Sequence, residues 1–361
     1  MRTMPSMKKR MRTPSWARGF QRSLAALTRK TLKVGTRALA ATLKPVPAAR
    51  KPQRTQARKQ APAPARPTAT PGAAGTGSWT RGTAMGATGT RQFKLYLPPG
   101  MQAGERLPLL VMLHGCGQDA DSFAASTRMN RIAQQEGFVV LYPEQDRRAN
   151  LQRCWNWFDT RSGRAQAEAA LLMRAIDQVC LLHPVDPARV AVAGLSAGAS
   201  MAGLLVALHP ERFKAVVMHS GVPPGTAHST LSALAAMKGH RATAALATTP
   251  LTMAAGWPPL LVIHGQADGV VSPRNGVAAV QAWAVAAGAV PGVPRVVQRG
   301  QRHPAWVTDF KQRGRTVATL VAVEQLAHAW SGGAAGQTFS DARGPDASRR
   351  VWAFVSRQFS A

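Results

Sequence analysis

A short glycine-flanked segment, Gly194-Leu195-Ser196-Ala197-Gly198, limits the folds that this chain can adopt. It follows the apolar run 189–193, which predicts a buried strand, and it precedes residues 199–208, whose length and small side chains predict a helix. A turn this tight needs glycine on both sides of the serine, because side chains there would meet the strand and the helix. The segment therefore predicts a strand–turn–helix unit that holds Ser196 above a sheet.

A Gly-x-Ser-x-Gly turn between a strand and a helix is the nucleophile elbow of many hydrolases. The pentapeptide alone occurs by chance in many proteins, so the interpretation depends on the flanking strand and helix. In that context we predict that Ser196 is a catalytic nucleophile. The alternative is a plain strand–helix turn.

A second glycine-rich segment, residues 114–118, follows the strand-like run 107–113. In hydrolases with this elbow, an oxyanion hole is formed by the amide after the nucleophile and by one amide from the loop after an early strand. We predict that the backbone N–H groups of Ala197 and Cys116 are these two donors. His114 is an alternative base, but we expect it to order the loop.

An aspartate and a histidine follow two later strand-like runs. Asp268 comes just after residues 259–264, and His328 comes after residues 316–323. The order serine, acid, histidine is that of α/β-hydrolases. We therefore predict that His328 is the general base and that Asp268 orients it.

The chain has nine histidines, so other candidates for the base have to be weighed. His219 and His264 end apolar strands, and we predict that both are buried structural residues. Glu324 and Asp341 lie near His328 in the sequence, and we expect them to be surface charges or local ties.

Strand-like and helix-like segments alternate along the chain, which predicts an α/β fold with a mostly parallel sheet covered by helices on both faces. Residues 223–258 interrupt this alternation as a lid or, preferably, a surface excursion. The predicted strands are 93–97, 109–113, 138–142, 190–193, 215–219, 260–264 and 317–323, and the predicted helices are 124–136, 165–182, 197–208, 276–287 and 347–357.

Seven motifs occur in order: Leu97-Pro-Pro-Gly100, Leu113-His-Gly-Cys-Gly-Gln118, Leu141-Tyr-Pro-Glu-Gln145, Cys154-Trp-Asn-Trp-Phe158, Asp186-Pro-Ala-Arg-Val190, Gly194-Leu-Ser-Ala-Gly198 and His328-Ala-Trp-Ser-Gly332. Together they resemble the polyhydroxybutyrate (PHB) depolymerase family of esterases, which is related to feruloyl and acetylxylan esterases. The resemblance covers residues 90–358. It implies an α/β-hydrolase fold and ester hydrolysis through an acyl-enzyme on Ser196.

The resemblance leaves the substrate open, because one scaffold serves several ester chemistries. We expect a serine esterase acting on short hydroxyalkanoate esters or oligomers of the 3-hydroxybutyrate type. A feruloyl or acetylxylan esterase is the alternative. A binding protein associated with granules or nucleic acid, with a vestigial hydrolase domain, is the alternative from another class.

The resemblance also pairs a cysteine in each of two motifs, Cys116 and Cys154. A disulfide between them would brace the predicted oxyanion loop, and two reduced thiols are the alternative. Cys180 is expected to be a small buried residue. The cysteines lack the close spacing of a zinc site, and we predict neither a metal nor a cofactor.

Three tryptophans, Trp155, Trp157 and Trp330, lie beside the predicted catalytic motifs. They are candidates for an apolar wall that contacts the acyl chain or ring of a substrate. Packing in the protein core is the alternative.

Charge is distributed very unevenly. All sixteen acidic residues lie at or beyond Glu105, whereas residues 1–70 contain eighteen of the 46 lysines and arginines. We therefore predict a basic amphipathic segment over 1–44, a flexible linker rich in Pro, Ala and Gly over 45–90, and a catalytic domain over 91–361.

On a helical wheel, the basic residues of 16–44 occupy one third of the circle, and Trp16, Phe20 and several leucines lie on a separate arc. This pattern predicts attachment to an anionic membrane or to the surface of a polyhydroxyalkanoate granule. Nucleic acid is the alternative partner, and a non-functional extension is the third interpretation.

No apolar run near the front reaches the length of a transmembrane span or of a secretory signal. We therefore expect a cytoplasmic or granule-associated protein. An extracellular protein, as in many members of the family, is the alternative.

Overall fold

The computed structural model describes residues 77–240 and 257–360. The predicted basic segment 16–44 and the part of the predicted linker before residue 77 lie outside the described residues. The same holds for residues 241–256, which belong to the predicted lid or excursion.

Eleven strands form one sheet in the order β1-β2-β4-β3-β5-β6-β7-β11-β10-β8, with β9 paired to β10. The strands are β1 (Ser78–Gly86), β2 (Gly89–Leu97), β3 (Leu107–Leu113), β4 (Val139–Pro143), β5 (Val185–Leu195), β6 (Ala215–His219), β7 (Leu260–Gly265), β8 (Val290–Pro291), β9 (Arg295–Val297), β10 (Ala305–Gln312) and β11 (Arg315–Val323), with a separate pair β12 (Trp330–Ser331) and β13 (Ser340–Asp341).

Seven α-helices and one 3₁₀ turn, Pro210–Arg212, complete the described part of the chain. The helices are α1 (Ala120–Thr127), α2 (Met129–Glu136), α3 (Arg164–Leu182), α4 (Ala197–Leu208), α5 (Thr230–Met237), α6 (Arg274–Ala287) and α7 (Ala347–Phe359).

The centre of the sheet is parallel from β4 through β3, β5, β6 and β7 to β11. Strands β3, β4, β6 and β7 are buried along their whole length, as expected for parallel strands covered on both faces. The antiparallel pairs β1–β2 and β10–β11 lie at the two sides of this centre. The predicted α/β architecture with a mostly parallel sheet is confirmed.

Alternate residues of the strands point to opposite helix layers. Ile263 belongs to the core that contains apolar residues of α1, α2 and α7. The next residue, His264, lies against Gly276 of α6, and Met218 lies against Gly203 of α4 on that same second face. The helices therefore cover both faces of the sheet, with the C-terminal helix α7 in the first layer.

The interior of the first layer is dominated by aromatic contacts. Trp352 of α7 stacks on Phe138 with ring centroids 3.7 Å apart, and its indole N–H donates to Glu136 Oε2. Ser348 accepts from the Trp330 indole N–H and donates to the carbonyl oxygen of Thr127. These contacts tie α7 to the loop that follows β11, so the final helix helps to position that loop.

One predicted helix, 124–136, is wrong as a single element. Arg128 has a left-handed conformation with φ 55° and separates α1 from α2. The Arg128 guanidinium donates to the carbonyl oxygen of Gly332. The Thr127 hydroxyl donates to the carbonyl oxygen of Phe123. The apolar pattern continues across this break, because both helices face the same core.

The predicted linker boundary at residue 90 is also wrong, because residues 78–90 form β1 and the start of β2. This hairpin edge is held by backbone pairing over nine residue pairs and buries few large side chains. Trp79 packs edge-on against Tyr142, and Ala84 is fully buried. A segment rich in Gly and Thr can therefore fold as an edge strand despite its linker-like composition.

Strand β10 and helix α5 were also not predicted, nor were the short strands β8, β9, β12 and β13. Strand β10 pairs with β11 as a hairpin, and its half-exposed alternating pattern gave no strong apolar run. Helix α5 lies inside the region 223–258 and is capped by Ser229, whose side chain accepts from the Ser232 N–H in a capping box. Part of that region is thus an ordered helix.

Within residues 77–240 and 257–360, no helix combines the length and apolar character needed to cross a membrane.

A pair of truncated chains tests the corrected boundary. A chain that starts at residue 91 loses β1 and exposes the hydrogen-bonding edge of β2, so we expect its free energy of unfolding to fall by about 2–4 kcal/mol. A chain that starts at residue 74, where the compact unit begins, should match the full-length protein in urea denaturation. Equal stability of the two truncated chains would contradict the role assigned to β1.

Candidate active site

The turn between β5 and α4 holds Ser196 at φ 57° and ψ −120°. A residue other than glycine takes such a positive φ only where the surrounding structure enforces it. A Cβ atom at Gly194 would overlap the carbonyl group of Gly198, and one at Gly198 would overlap the carbonyl oxygen of Leu113. Both glycines are required by close backbone packing, as the sequence predicts.

The three predicted catalytic residues follow the ends of three parallel strands of the sheet. Ser196 follows β5, Asp268 follows β7 and His328 follows β11. Because β5, β6, β7 and β11 are parallel and adjacent in this order, their carboxyl ends meet at one edge of the sheet. The fold therefore brings the three loops to the same side of the molecule.

Asp268 and His328 form a buried hydrogen-bonded pair. The His328 Nδ1–H donates to Asp268 Oδ2 over 2.8 Å. The other carboxylate oxygen accepts from the backbone N–H groups of Val270 and Val271, each at 2.9 Å. Burial raises the pKa of Asp268. The charge of His328 and the hydrogen bonds lower the pKa by more than burial raises it, so it lies well below its ordinary value. The carboxylate is therefore ionised and oriented toward the imidazole.

His264 is a second histidine beside this carboxylate. Its Nε2–H donates to the carbonyl oxygen of Val271 at 3.1 Å and lies 3.5 Å from Asp268 Oδ2. It is buried and faces Gly276 of α6, where a Cβ atom would contact the imidazole ring. His264 thus packs the turn that carries Asp268, as a structural residue.

His219, at the end of β6, connects Ser196 to the loop that carries His328. The Ser196 N–H donates to the His219 carbonyl oxygen at 2.8 Å, and the Ser331 N–H donates to His219 Nε2 at 3.1 Å. Burial, together with repulsion from His264 and His328, lowers the pKa of His219 to about 3. The ring is therefore neutral and can act as an acceptor.

The loop after β3 approaches Ser196 from the other side. A Cβ atom at Gly115 would lie 3.6 Å from the Cβ of Ser196. Within residues 77–240 and 257–360, neither the Cys116 N–H nor the Ala197 N–H has a hydrogen-bond acceptor. Two unpaired backbone donors beside a strained serine are the arrangement that an oxyanion hole requires.

A disulfide joins Cys116 to Cys154, 38 residues apart in the sequence. Beside it, the Gly117 N–H donates to the carbonyl oxygen of Gln152 at 2.7 Å. Both links attach the loop that carries the Cys116 N–H to residues 150–154. The bond joins the two cysteines that the family resemblance pairs, and Cys180 is left as a free thiol.

His114 orders this loop and is fully buried. Its Nδ1–H donates to the Gly115 carbonyl oxygen at 2.8 Å, and its Nε2 accepts from the Gln145 N–H at 3.1 Å. Burial lowers the pKa of His114 to about 4, although the bond to Gly115 opposes this shift. With both nitrogens occupied, the imidazole is structural, as expected from the sequence.

Behind the loop lies a buried polar network that the sequence did not reveal as a unit. Its centre is the Glu168 carboxylate of α3, which accepts from Gln145 and twice from Asn156. Through Gln145, the network is also bonded to His114 and to the backbone of the disulfide residue Cys154. Arg91 donates to Gln145 Oε1 and to the Glu144 carbonyl oxygen. Gln145 Nε2 donates to Glu168 Oε1 at 2.7 Å and to the Cys154 carbonyl oxygen at 3.0 Å. Asn156 donates to Glu168 through its backbone N–H at 2.9 Å and through Nδ2 at 2.6 Å.

The prediction that Trp155 and Trp330 line a substrate pocket is wrong, because both side chains are 0% exposed. Trp155 donates its indole N–H to the His114 carbonyl oxygen at 2.9 Å. Trp330 stacks on His219 with ring centroids 5.0 Å apart. Both support the loops of the predicted catalytic residues from behind. Trp157 is 7% exposed and packs edge-on against Phe158, and its contact with a substrate stays a prediction.

The described residues contain no group of three or more His, Cys, Asp or Glu side chains arranged to hold a metal ion.

A family of proteins described as esterase PHB depolymerase matches residues 91–290, more than half of the 361-residue chain. The match includes Ser196 and Asp268 and ends before His328.

Two curated relatives have different substrates in their names. Poly(3-hydroxyalkanoate) depolymerase C of Paucimonas lemoignei is 34% identical over 194 residues, which make up 52% of this chain and 46% of that protein. Feruloyl esterase B of Neurospora crassa is 29% identical over 204 residues, covering 52% of this chain and 69% of that protein. The chain thus spans less than half of the depolymerase.

Among solved structures, the acetyl xylan esterase from Aspergillus awamori superposes with a TM-score of 0.54 at 18% identity. The superposition covers 69% of this chain and 94% of that one. At this identity the likeness shows the fold, which is that of an α/β-hydrolase.

The two buried histidines predict how stability depends on pH. Above pH 6.5 His114 and His219 are neutral in the folded and unfolded chains alike. As the pH falls toward 4, the unfolded chain binds protons at these positions that the folded chain cannot bind. We expect the free energy of unfolding to fall by about 2 kcal/mol per histidine between pH 7 and pH 5.

Urea denaturation at both pH values measures this loss, and His219→Gln should reduce it by about half. An unchanged pH dependence in this variant would contradict the assignment of a neutral His219.

Proposed function

The chain belongs to the PHB depolymerase family of esterases, and we propose that it hydrolyses carboxylic esters through an acyl-enzyme on Ser196. One observation carries the proposal: the strained Ser196 stands beside two backbone N–H groups that lack acceptors in the described part of the chain. A structural turn has no need of either feature. The buried Asp268–His328 pair supplies the acid and base that activate the serine.

In the acylation step, Ser196 Oγ attacks the ester carbonyl carbon and its proton passes to His328 Nε2. The Asp268 carboxylate holds the Nδ1–H and stabilises the imidazolium that forms. The carbonyl oxygen becomes an oxyanion that accepts from the N–H groups of Cys116 and Ala197. Collapse of this intermediate breaks the ester C–O bond, and His328 returns the proton to the leaving alcohol.

In the deacylation step, water attacks the acyl-enzyme and gives its proton to His328. The second tetrahedral intermediate uses the same two backbone donors. Its collapse releases the carboxylic acid, and the proton returns to Ser196. Because the donors are backbone groups fixed by the turn and the disulfide, they need no rearrangement between the two steps.

For the substrate, we propose short hydroxyalkanoate esters or oligomers of the 3-hydroxybutyrate type. The relative named as a poly(3-hydroxyalkanoate) depolymerase is 34% identical to the chain, against 29% for one named as a feruloyl esterase and 26% for one named as an acetylxylan esterase. Feruloyl and acetyl esters are the competing class, because those relatives belong to the same group.

A substrate panel tests this proposal with 3-hydroxybutyrate oligomers, methyl ferulate and acetylated xylan. We expect kcat/KM to be highest for the oligomers.

Two variants test the mechanism. Asp268→Asn should lower kcat about 10⁴-fold, because the imidazole is then held in the wrong tautomer, and Ser196→Ala should lower kcat at least as far.

The matched control is Ser360→Ala, an exposed serine at the end of α7, which should leave turnover unchanged. Highest turnover of the ferulate or acetyl ester would move the substrate to the competing class. Retention of turnover in Ser196→Ala would contradict the mechanism. Absence of turnover on every ester would favour a binding protein with a vestigial hydrolase domain.

We further propose that the segment 16–44 attaches the enzyme to an anionic surface, such as a membrane or a polyhydroxyalkanoate granule. The support is its sequence, in which basic residues and an apolar arc containing Trp16 and Phe20 lie on separate sides of a helical wheel. Electrostatic attraction of this kind weakens as salt screens the charges.

Deleting residues 1–70 tests this attachment. We expect the shortened chain to keep its turnover of soluble esters and to lose sedimentation with granules and with anionic vesicles, measured side by side with the full chain at low salt. Equal sedimentation of the two chains would rule out a role for the segment. Loss of soluble-ester turnover would instead assign residues 1–70 to the enzyme itself.

A further inference from the structure

A cleft of about 770 Å³ lies between α7 and the β10–β11 hairpin. Leu261, Val307 and Thr319, from three strands, contribute to its lining, and Ala353 and Phe354 line it from α7. None of its lining residues belongs to the candidate active site. The cleft exists because the sheet continues past β7 to a hairpin that extends beyond α7.

The lining of this cleft is strongly cationic. It contains seven arginines and only two carboxylates, an excess of five positive charges. These charged residues are Arg295, Arg299, Arg302, Arg315, Arg349, Arg350, Arg357, Asp309 and Asp346. They come from β9, β10, β11, α7 and the intervening loops, so only the folded chain assembles them.

Three of the arginines have partners. Arg295 pairs with Asp309 at 2.7 Å, Arg302 donates to the Gly344 carbonyl oxygen at 2.7 Å, and Arg349 lies 3.7 Å from Asp346. These contacts occupy both carboxylates of the cleft.

The other four arginines form a distinct set. In the part of the chain that the structure describes, their guanidinium groups make no hydrogen bond and have no carboxylate oxygen within 4.0 Å. They are Arg299, Arg315, Arg350 and Arg357.

Arg350 shows the cost of this arrangement. Its side chain is half-buried, whereas Arg299, Arg315 and Arg357 are exposed. Burial lowers the pKa of Arg350, and Arg299, Arg295 and Arg357 lower it further, while Asp309 opposes the shift. A half-buried charge among charges of the same sign destabilises a fold unless a group of opposite charge offsets it. The domain therefore keeps a cluster that would be stabilised by an anion.

We propose that this cleft binds a compact anion carrying several phosphate groups, of the inorganic polyphosphate class. Guanidinium groups match phosphate oxygens in bidentate pairs, and an excess of five charges calls for a multiply charged ligand. The volume is that of a small-molecule site. Phe354 is the one aromatic residue in the lining and is buried in the core, so the cleft offers no platform on which nucleic acid bases stack.

Thermal unfolding of the full-length chain with sodium tripolyphosphate tests the proposal. Residues 1–70 also carry positive charge, but an anion that binds them equally in the folded and unfolded chain does not change Tm. Binding in the cleft requires the fold. We expect Tm to rise by about 5 °C at a concentration about 100 times Kd, and the rise to shrink as salt is added.

The double variant Arg299→Gln, Arg350→Gln should lose most of this rise, with Kd increased at least about 100-fold. Without ligand its Tm should equal or exceed that of the parent, because repulsion is relieved. The matched control is Arg174→Gln, an exposed arginine of α3 near Gly86 of β1, at the opposite edge of the sheet. It should keep the full rise.

Three results would overturn the proposal. The first is that tripolyphosphate has no effect on Tm. The second is that it raises Tm equally in the parent and in the double variant. The third is that a single-stranded oligonucleotide, tested at equal phosphate concentration, raises Tm more than tripolyphosphate does, and that the double variant loses this rise in Tm. The last result would assign the cleft to nucleic acid.

Discussion

The backbone of α4 lies so close to the end of β3 that only glycine fits at residue 198. This contact determines where the turn after β5 can go, and it forces Ser196 into its positive φ. It also brings the N-terminus of α4 next to the loop that follows β3. The serine and the two candidate oxyanion donors are therefore consequences of one packing constraint between neighbouring parallel strands.

The other loops of the site are fixed by buried polar groups. The ring of His219 accepts from the Ser331 N–H, and its carbonyl oxygen accepts from the Ser196 N–H. One residue thereby links the turn at Ser196 to the loop that carries His328. On the opposite side, Glu168 and Gln145 hold the disulfide segment from within the core. The neutral state of His114 and His219 lets one nitrogen of each ring accept a backbone N–H. Two buried nitrogens, Arg91 Nε and His264 Nδ1, have no partner among the described residues.

The sequence predicts the elements whose signal is local. Apolar runs locate the parallel strands, and glycine spacing locates the turn at Ser196. Three features depend on distant contacts and escaped prediction. Strand β1 is stabilised by pairing with β2, Arg128 breaks a helix through its bond to Gly332, and the arginine cleft requires the hairpin to fold beside α7. Trp155 and Trp330 lie where motifs place them, but only packing shows that they face the core.

The central claim is that Ser196 is the nucleophile. Incubation with a fluorophosphonate, followed by peptide mapping in a mass spectrometer, tests it without a choice of ester. We predict one covalent adduct per chain, located on Ser196, and much slower labelling in His328→Gln because the base is lost. An adduct on another residue, or a folded chain that never reacts, would contradict the account.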